Sequence, residues 1–198
     1  YGSERVKTDG LYQRVTDSIS KAGIIWVDLG GIVSNPKLSK VHEGIALAKQ
    51  EHVDAILALG GGSVLDSAKT IAVGALCDHD VWDYFIGKAT IKKALPIFDV
   101  MTLAATGSEM NGNSVITHDT TRQKLNINAL CLYPKVSFLA PELTMSLSHE
   151  QLAYACVDAM VHILEGYFTK EISNPLMERQ CEAIVKTLMK TTKRLLKN

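Results

Sequence analysis

The chain has 198 residues, 46% hydrophobic and 21% charged, and its 21 Lys plus Arg balance 21 Asp plus Glu. That length carries a sizeable core in one large or two small domains, and the balanced charge gives no global field favouring nucleic acid or an anionic membrane. No apolar run approaches the ~18 residues of a spanning helix, and Cys77, Cys131, Cys156 and Cys181 lack the paired spacing of a zinc ribbon. The expectation is a cytoplasmic protein with reduced, structural cysteines, no nucleic-acid or membrane partner, and a small substrate. The chain opens on Tyr1-Gly2-Ser3 without a methionine and closes on the helical pattern Lys186–Asn198, so it reads as a piece of a longer protein.

Residues from Asp9 to about Ala22 carry Leu11, Val15, Ser18 and Ile19 at helical spacing, and Gly23 stops the run as a C′ residue would. Ile24–Leu29 reads as a continuous apolar strand, Ser34-Asn35-Pro36 as a turn, and Leu38–Gln50 as a second helix. Ala55–Leu59 is a short buried strand, followed by three glycines and a helix over Ser63–Leu76. Asp78–Gly87 reads as an irregular loop and Pro96–Met101 as another strand. Ser114–Thr117 and Leu125–Asn128 are expected to pair as a hairpin, and Val136–Leu139 is a last strand. Strands alternating with helices imply parallel crossovers in an open α/β sheet, with ligands at the carboxyl ends of the strands. The clearest boundary is Pro141–Ser148, giving an α/β domain over residues 1–147 and a helical one over 148–198.

The stretch Gly60-Gly61-Gly62-Ser63 falls at such a carboxyl end. Its glycines let the backbone approach a bulky ligand, and the free N–H groups of the first helical turn favour an anion such as a phosphate. An ordinary strand-to-helix turn reads the same way on this stretch alone. Two better-known phosphate loops do not fit. The dinucleotide pattern GxGxxG begun at Gly60 needs glycine where Leu65 stands, and the GxxxxGK[ST] spacing ending in Lys69-Thr70 has Ser63 and Ala68 in place of its glycines. Asp66, one turn into the helix, is suited to accepting hydrogen bonds from a ribose or to holding the turn. Further on, Thr102-Leu-Ala-Ala-Thr106-Gly107-Ser108-Glu109-Met110-Asn111 is dense in small and hydroxylic residues that permit close approach to a flat ligand.

Helix His149–Phe168 carries Asp158 and His162. At ~100° per residue they lie ~40° apart on one face, a spacing that permits a carboxylate and an imidazole to share a metal. Gln151, Asp158, His162 and Glu165 also form one polar stripe, as on a half-exposed helix facing water. His149 points the other way, and His42, His52, His79 and His118 read as surface or loop residues.

Taken together, GGGSVLDSAK, TLAATGSEMN and VDAMVHILEGYFT resemble, in this order and at these separations, the iron-dependent (group III) alcohol dehydrogenases, most closely their butanol dehydrogenase-like branch. The resemblance implies a Rossmann-like nucleotide-binding domain followed by the start of an all-helical metal-binding domain, an incomplete dehydroquinate synthase-like fold. It implies that Gly60, Gly61, Gly62 and Ser63 bind the pyrophosphate of NADP(H) or NAD(H), and that Asp66 lies beside the nicotinamide ribose. It also implies that Thr102 and Thr106 line the nucleotide and Lys124 lies near the ribose. Asp158 and His162 match the first two ligands of an Fe2+, with Zn2+ as the alternative, and a small alcohol or aldehyde substrate and a homodimer are implied.

The chain departs from the family pattern in places. Tyr1-Gly2-Ser3-Glu4-Arg5 replaces a YGGGS-like turn, setting Arg5 where a serine is expected. Ala140 stands where an Asp is usual, and Leu147-Ser148-His149 replaces a Leu-Pro pair. Two further histidine ligands of the family have no match. The implied reaction is hydride transfer between nicotinamide and a primary alcohol or aldehyde. The alternatives are a glycerol dehydrogenase-like enzyme of the same fold and a catalytically incomplete nucleotide-binding fragment.

Overall fold

The computed structural model describes residues 1–145, 147–169 and 173–197. The chain divides into two compact units: Tyr1–Leu103 with Gly107–Pro141, and Ala104–Thr106 with Glu142–Asn198.

The first unit opens with α1 (Arg5–Thr8) and α2 (Leu11–Lys21). Gly23 ends α2 as the sequence predicts: it adopts φ +72°, its N–H donates to Ser20 O at 2.9 Å, and Ile24 N–H donates to Ile19 O at 3.1 Å. These two bonds satisfy the last carbonyls in the Schellman pattern. The strand expected over Ile24–Leu29 is not formed. Ile24, Ile25, Trp26 and Val27 are exposed, and the ladder-like bonds begin only at Leu29, which accepts from the Tyr1 amine at 2.9 Å. Gly31 and Ile32 then donate to Gly2 O and Tyr1 O at 3.1 and 3.3 Å. An apolar run becomes a strand only where a neighbour offers its N–H and C=O groups, and this run meets two residues of one.

Then follow α3 (Leu38–Gln50), β1 (Ile56–Gly60), α4 (Gly62–Gly74), α5 (Trp82–Phe85), β2 (Ile97–Met101), β3 (Asn113–Thr117), β4 (Lys124–Asn128) and β5 (Val136–Leu139). The segment expected to be irregular thus contains one helical turn, α5, whose Trp82 and Phe85 stack at 4.9 Å and are buried. Strands β1, β2 and β5 form a parallel sheet in the order β1-β2-β5, with Gly60 opposite Met101 and Phe98 opposite Val136. The expected hairpin is present as the antiparallel pair β3–β4, with Asn113 opposite Asn128 and Thr117 opposite Lys124.

Helix α4 is the centre of this unit. It packs on β1, β2, β3 and α3, and Val64, Leu65, Ala68, Ile71, Ala72 and Val73 are all buried. Eleven of its thirteen residues are buried, the polar Ser67, Lys69 and Thr70 among them, so it is an interior helix. Its approach to α3 depends on glycine: a Cβ on Gly44 would lie 2.7 Å from Leu29 Cδ2 and 2.9 Å from Ile71 Cγ1, and one on Gly74 would lie 2.7 Å from Ile45 Cγ1.

The second unit is built on α6 (His149–Phe168) and α7 (Pro175–Leu195), which pack against each other. Ser148 and Gln151 cap α6 reciprocally, with Gln151 N donating to Ser148 Oγ at 3.2 Å and Ser148 N to Gln151 Oε1 at 3.3 Å. Asn174 caps α7, accepting from Met177 N at 3.3 Å, and Pro175 occupies its first turn. Among the described residues no helix is long and apolar enough to cross a membrane.

Candidate functional site

The strand–turn–helix read from the sequence is formed by β1, Gly60-Gly61 and α4. Gly60 closes β1, buried; a Cβ there would lie 2.6 Å from Val64 Cγ2, so the turn is tight because no side chain stands at 60. Gly61 is the N-cap residue of α4, and Gly62 and Ser63 open the helix. Without a side chain, Gly61 cannot cap, and no acid lies in the first turn. Ser148 and Asn174 each accept one first-turn N–H of α6 and α7, whereas α4, like α2 and α3, has no side-chain cap; its first N–H groups and the positive end of its dipole face the glycine turn, an arrangement suited to an anion.

Thr102 lies beside this turn. It directly follows β2, and its N–H donates to Gly60 O at 3.0 Å, extending the parallel ladder by one bond. Asp66 faces inward along α4: Oδ1 accepts from Ser108 Oγ at 2.8 Å and Oδ2 from Val115 N at 3.1 Å. Burial raises its pKa, opposed by these two hydrogen bonds and by the charges of Lys69 and Lys124. Each oxygen accepts one bond from the chain itself, tying α4 to the segment before β3 and to β3. Lys124 is exposed at the start of β4, where Nζ donates to Asn35 Oδ1 at 2.8 Å. The first unit therefore gathers Gly60–Ser63, Asp66, Thr102 and Lys124 around the N-terminal half of α4. Thr106 is exposed and belongs to the second unit. Arg5, standing in place of a serine, meets Asp9 through Nε at 3.2 Å.

Asp158 and His162 lie one turn apart on α6, with Oδ2 and Nε2 3.6 Å apart and both side chains about half exposed. Two coordination bonds of about 2.0–2.2 Å span that gap, and a carboxylate with an imidazole suits a first-row divalent metal. The pair fits half of a metal site. Among the described residues no group of three or more His, Cys, Asp or Glu side chains is gathered.

One residue that sequence reasoning passed over is Lys69, noted there only for the phosphate-loop spacing it fails to complete. It is fully buried, and Nζ lies within hydrogen-bond distance of five acceptors: Ser108 O at 2.7 Å, Ser108 Oγ at 3.0 Å, Asn111 O at 2.8 Å, Asn111 Oδ1 at 3.2 Å and Asn113 O at 2.9 Å. Burial lowers its pKa to about 8, against the raising charges of Asp66, Asp99 and Glu109. The spacing hid it: Asp66, Lys69 and Thr70 stand at i, i+3 and i+4 and read as an ordinary polar stripe, whereas in the structure Lys69 and Thr70 are buried and need internal acceptors. Asp99, on β2, is likewise buried; Oδ2 accepts from Ser137 Oγ at 2.6 Å while Oδ1 has no hydrogen-bond partner.

Comparison with known proteins accords with this geometry. The family model described as Iron-containing alcohol dehydrogenase matches residues 1–141. The chain is 41% identical over its whole length to probable NADH-dependent butanol dehydrogenase 2 of Bacillus subtilis, covering 51% of that protein. It is 36% identical to the NADPH-dependent aldehyde reductase YqhD of Escherichia coli, again over all of this chain and 51% of the relative. The crystal structure of NADH-dependent butanol dehydrogenase A from Thermotoga maritima superposes with a TM-score of 0.95 at 51% identity, covering 98% of this chain and 49% of that one. The chain thus spans about half the length of the relatives it matches. The resemblance drawn from the three motifs holds, and the chain belongs to the iron-containing alcohol dehydrogenase family.

Proposed function

We propose that the protein of which this chain forms the nucleotide-binding part is an iron-dependent, nicotinamide-linked alcohol dehydrogenase or aldehyde reductase. It would transfer hydride between the nicotinamide and a primary alcohol or aldehyde. The observation that carries this reading is the uncapped N-terminus of α4 behind the Gly60–Ser63 turn, in a chain 41% identical to a protein named as a butanol dehydrogenase. The nucleotide pyrophosphate would sit on the N–H groups of Gly62 and Ser63, with Thr102 beside it. Domain limits of 1–147 and 148–198 accompany this reading.

NADH is the favoured cofactor. Arg5, which stands where the family pattern has a serine, pairs with Asp9, and Glu4 beside it pairs with Lys7 at 3.3 Å. The relatives at 41% identity are named NADH-dependent. Asp158 and His162 would hold iron, whose contribution when bound is Lewis-acid polarisation of the substrate oxygen. The cofactor carries the hydride chemistry; this chain's residues bind and aim it.

The test is titration of the full-length protein with NADH and NADPH, followed by butyraldehyde reduction with and without added iron(II). Nucleotide binding with iron-dependent turnover supports the reading. Binding of neither nucleotide, or turnover indifferent to metal removal, would count against it.

A further inference from the structure

The parallel strands place Thr102 next to Gly60, but a loop of ten residues, 103–112, separates Thr102 from β3. Something must hold that loop to the helix carrying the anion site. Its near end is pinned by Thr102 N–H to Gly60 O at 3.0 Å. Its far end is pinned by α4 itself, two turns beyond Ser63, through Lys69.

We infer that Lys69 is a positioning residue for the nicotinamide nucleotide: by gripping Ser108, Asn111 and Asn113 from inside α4, it holds the loop following β2 in register with the Gly60–Ser63 turn. The inference rests on the function proposed above and goes beyond it by assigning a role to a residue that touches no ligand.

Four observations support it. Three of the five acceptors are main-chain carbonyls, of Ser108, Asn111 and Asn113, so the ammonium fixes the path of the backbone and not only side chains. Asp66 reinforces the same grip from one turn earlier, accepting from Ser108 Oγ and Val115 N. Ser114 Oγ donates to Asp66 O at 2.6 Å, so the loop's exit into β3 is tied to the same helix. Gly107, in the left-handed region at φ +61°, turns the chain so that Ser108 enters the cluster, and Asn111 Nδ2 donates back to Gly107 O at 2.9 Å. A lysine used only to fill space would be replaceable by an apolar residue at less cost than burying an ammonium. Here the ammonium carries three protons, all directed at one loop.

The charged groups facing Lys69 are Asp66 on its own helix, Asp99 on β2 and Glu109 in the loop. All three favour the protonated amine. Above about pH 8 the amine loses its charge and one of its three donors, and the grip loosens.

The experiment compares the full-length protein with Lys69→Met and Ser108→Ala, measuring melting temperature and the dissociation constants for NADH and NADPH by nucleotide fluorescence. Lys69→Met takes the donor from three main-chain carbonyls, that of Ser108 in a buried bond, so its folding is at risk. Ser108→Ala removes only one acceptor of Lys69 and the donor to Asp66, and therefore decides the matter if Lys69→Met does not fold. The expected result for Ser108→Ala is a folded protein whose affinity for its preferred nucleotide falls by about fivefold or more. KM for the nucleotide rises correspondingly, and kcat at saturating nucleotide stays within twofold. Ser108→Thr, which restores the hydroxyl, recovers affinity. Ser108→Ala binding within twofold of the unaltered protein would overturn the inference alone. Failure of the unaltered protein to bind either nucleotide would overturn it together with the function it rests on.

Discussion

Substituting Gly60→Ala probes the turn through a single methyl group. The added Cβ would stand 2.6 Å from Val64 Cγ2, closer than real Cβ contacts come, and 3.1 Å from Val64 Cβ, tighter than most of them. Val64 is buried in the first turn of α4, and as a β-branched residue in a helix it has essentially one χ1 rotamer. It cannot swing aside; the first turn must shift. Overpacking of this kind costs about 1–3 kcal/mol. Because the shifted atoms are those of the anion site, the account expects nucleotide affinity to fall together with stability. The assay is a double-mutant cycle with Val64→Ala, read by urea denaturation and by NADH titration. Removing the two γ-methyls relieves the closest contact but leaves Val64 Cβ at 3.1 Å and residue 60 at φ +157°, so the Gly60→Ala/Val64→Ala protein should recover part of the affinity lost in Gly60→Ala, with a coupling of about 0.5–3 kcal/mol in stability. Additive effects, or unchanged NADH binding in Gly60→Ala, would refute the reasoning that glycine is required there for close approach.

Two further predictions follow from the buried acids and from α6. Asp99 has its pKa raised by burial and by the charge of Glu109, and one of its oxygens is unpartnered. An acid with a raised folded-state pKa contributes most below its unfolded value of 3.8, and that contribution is lost as pH rises through the folded pKa. Asp99→Asn should therefore match the unaltered protein below pH 3.8 and exceed it at pH 8, because an amide is spared the cost of ionising a buried carboxyl. Equal or lower stability at pH 8 by thermal denaturation would contradict this. In the full-length protein, His162→Ala should abolish iron retention, measured by elemental analysis, while shifting stability by less than about 1 kcal/mol, since the side chain is half exposed and its pairing with Asp158 lies at the surface. Iron content unchanged by the substitution would remove Asp158 and His162 from the metal site.

Much of this arrangement was legible because local rules and tertiary context agreed. Leu38–Gln50 and His149–Phe168 begin and end where their apolar spacing predicts, and Gly23 stops α2 by the mechanism its position implied. The turn at Gly60–Ser63 was visible because glycine is diagnostic of close backbone approach. What escaped was non-local. Ile24–Leu29 has the composition of a strand, yet a strand exists only by pairing, and composition does not show how much partner there is. The short helix at Trp82–Phe85 lies below the length at which periodicity can be read. Lys69 escaped because its acceptors lie about 40 residues away, and because it shares helical spacing with Asp66 and Thr70 and so reads as part of a polar face. Asp66 adds a second non-local case: its bonds to Ser108 and Val115 tie α4 to residues more than 40 positions away, which helical spacing cannot show.

The central claim is that the uncapped start of α4 holds the cofactor's pyrophosphate. Ser63→Asp tests it most directly because two effects of the same charge oppose each other. A carboxylate in the first turn favours the helix dipole and should leave stability unchanged or raise it by about 0.3–1 kcal/mol. The same charge would stand against the pyrophosphate and should weaken NADH binding at least tenfold, measured by fluorescence titration at low salt. A Ser63→Asp protein that is stable and binds NADH as tightly as the unaltered one would contradict the account.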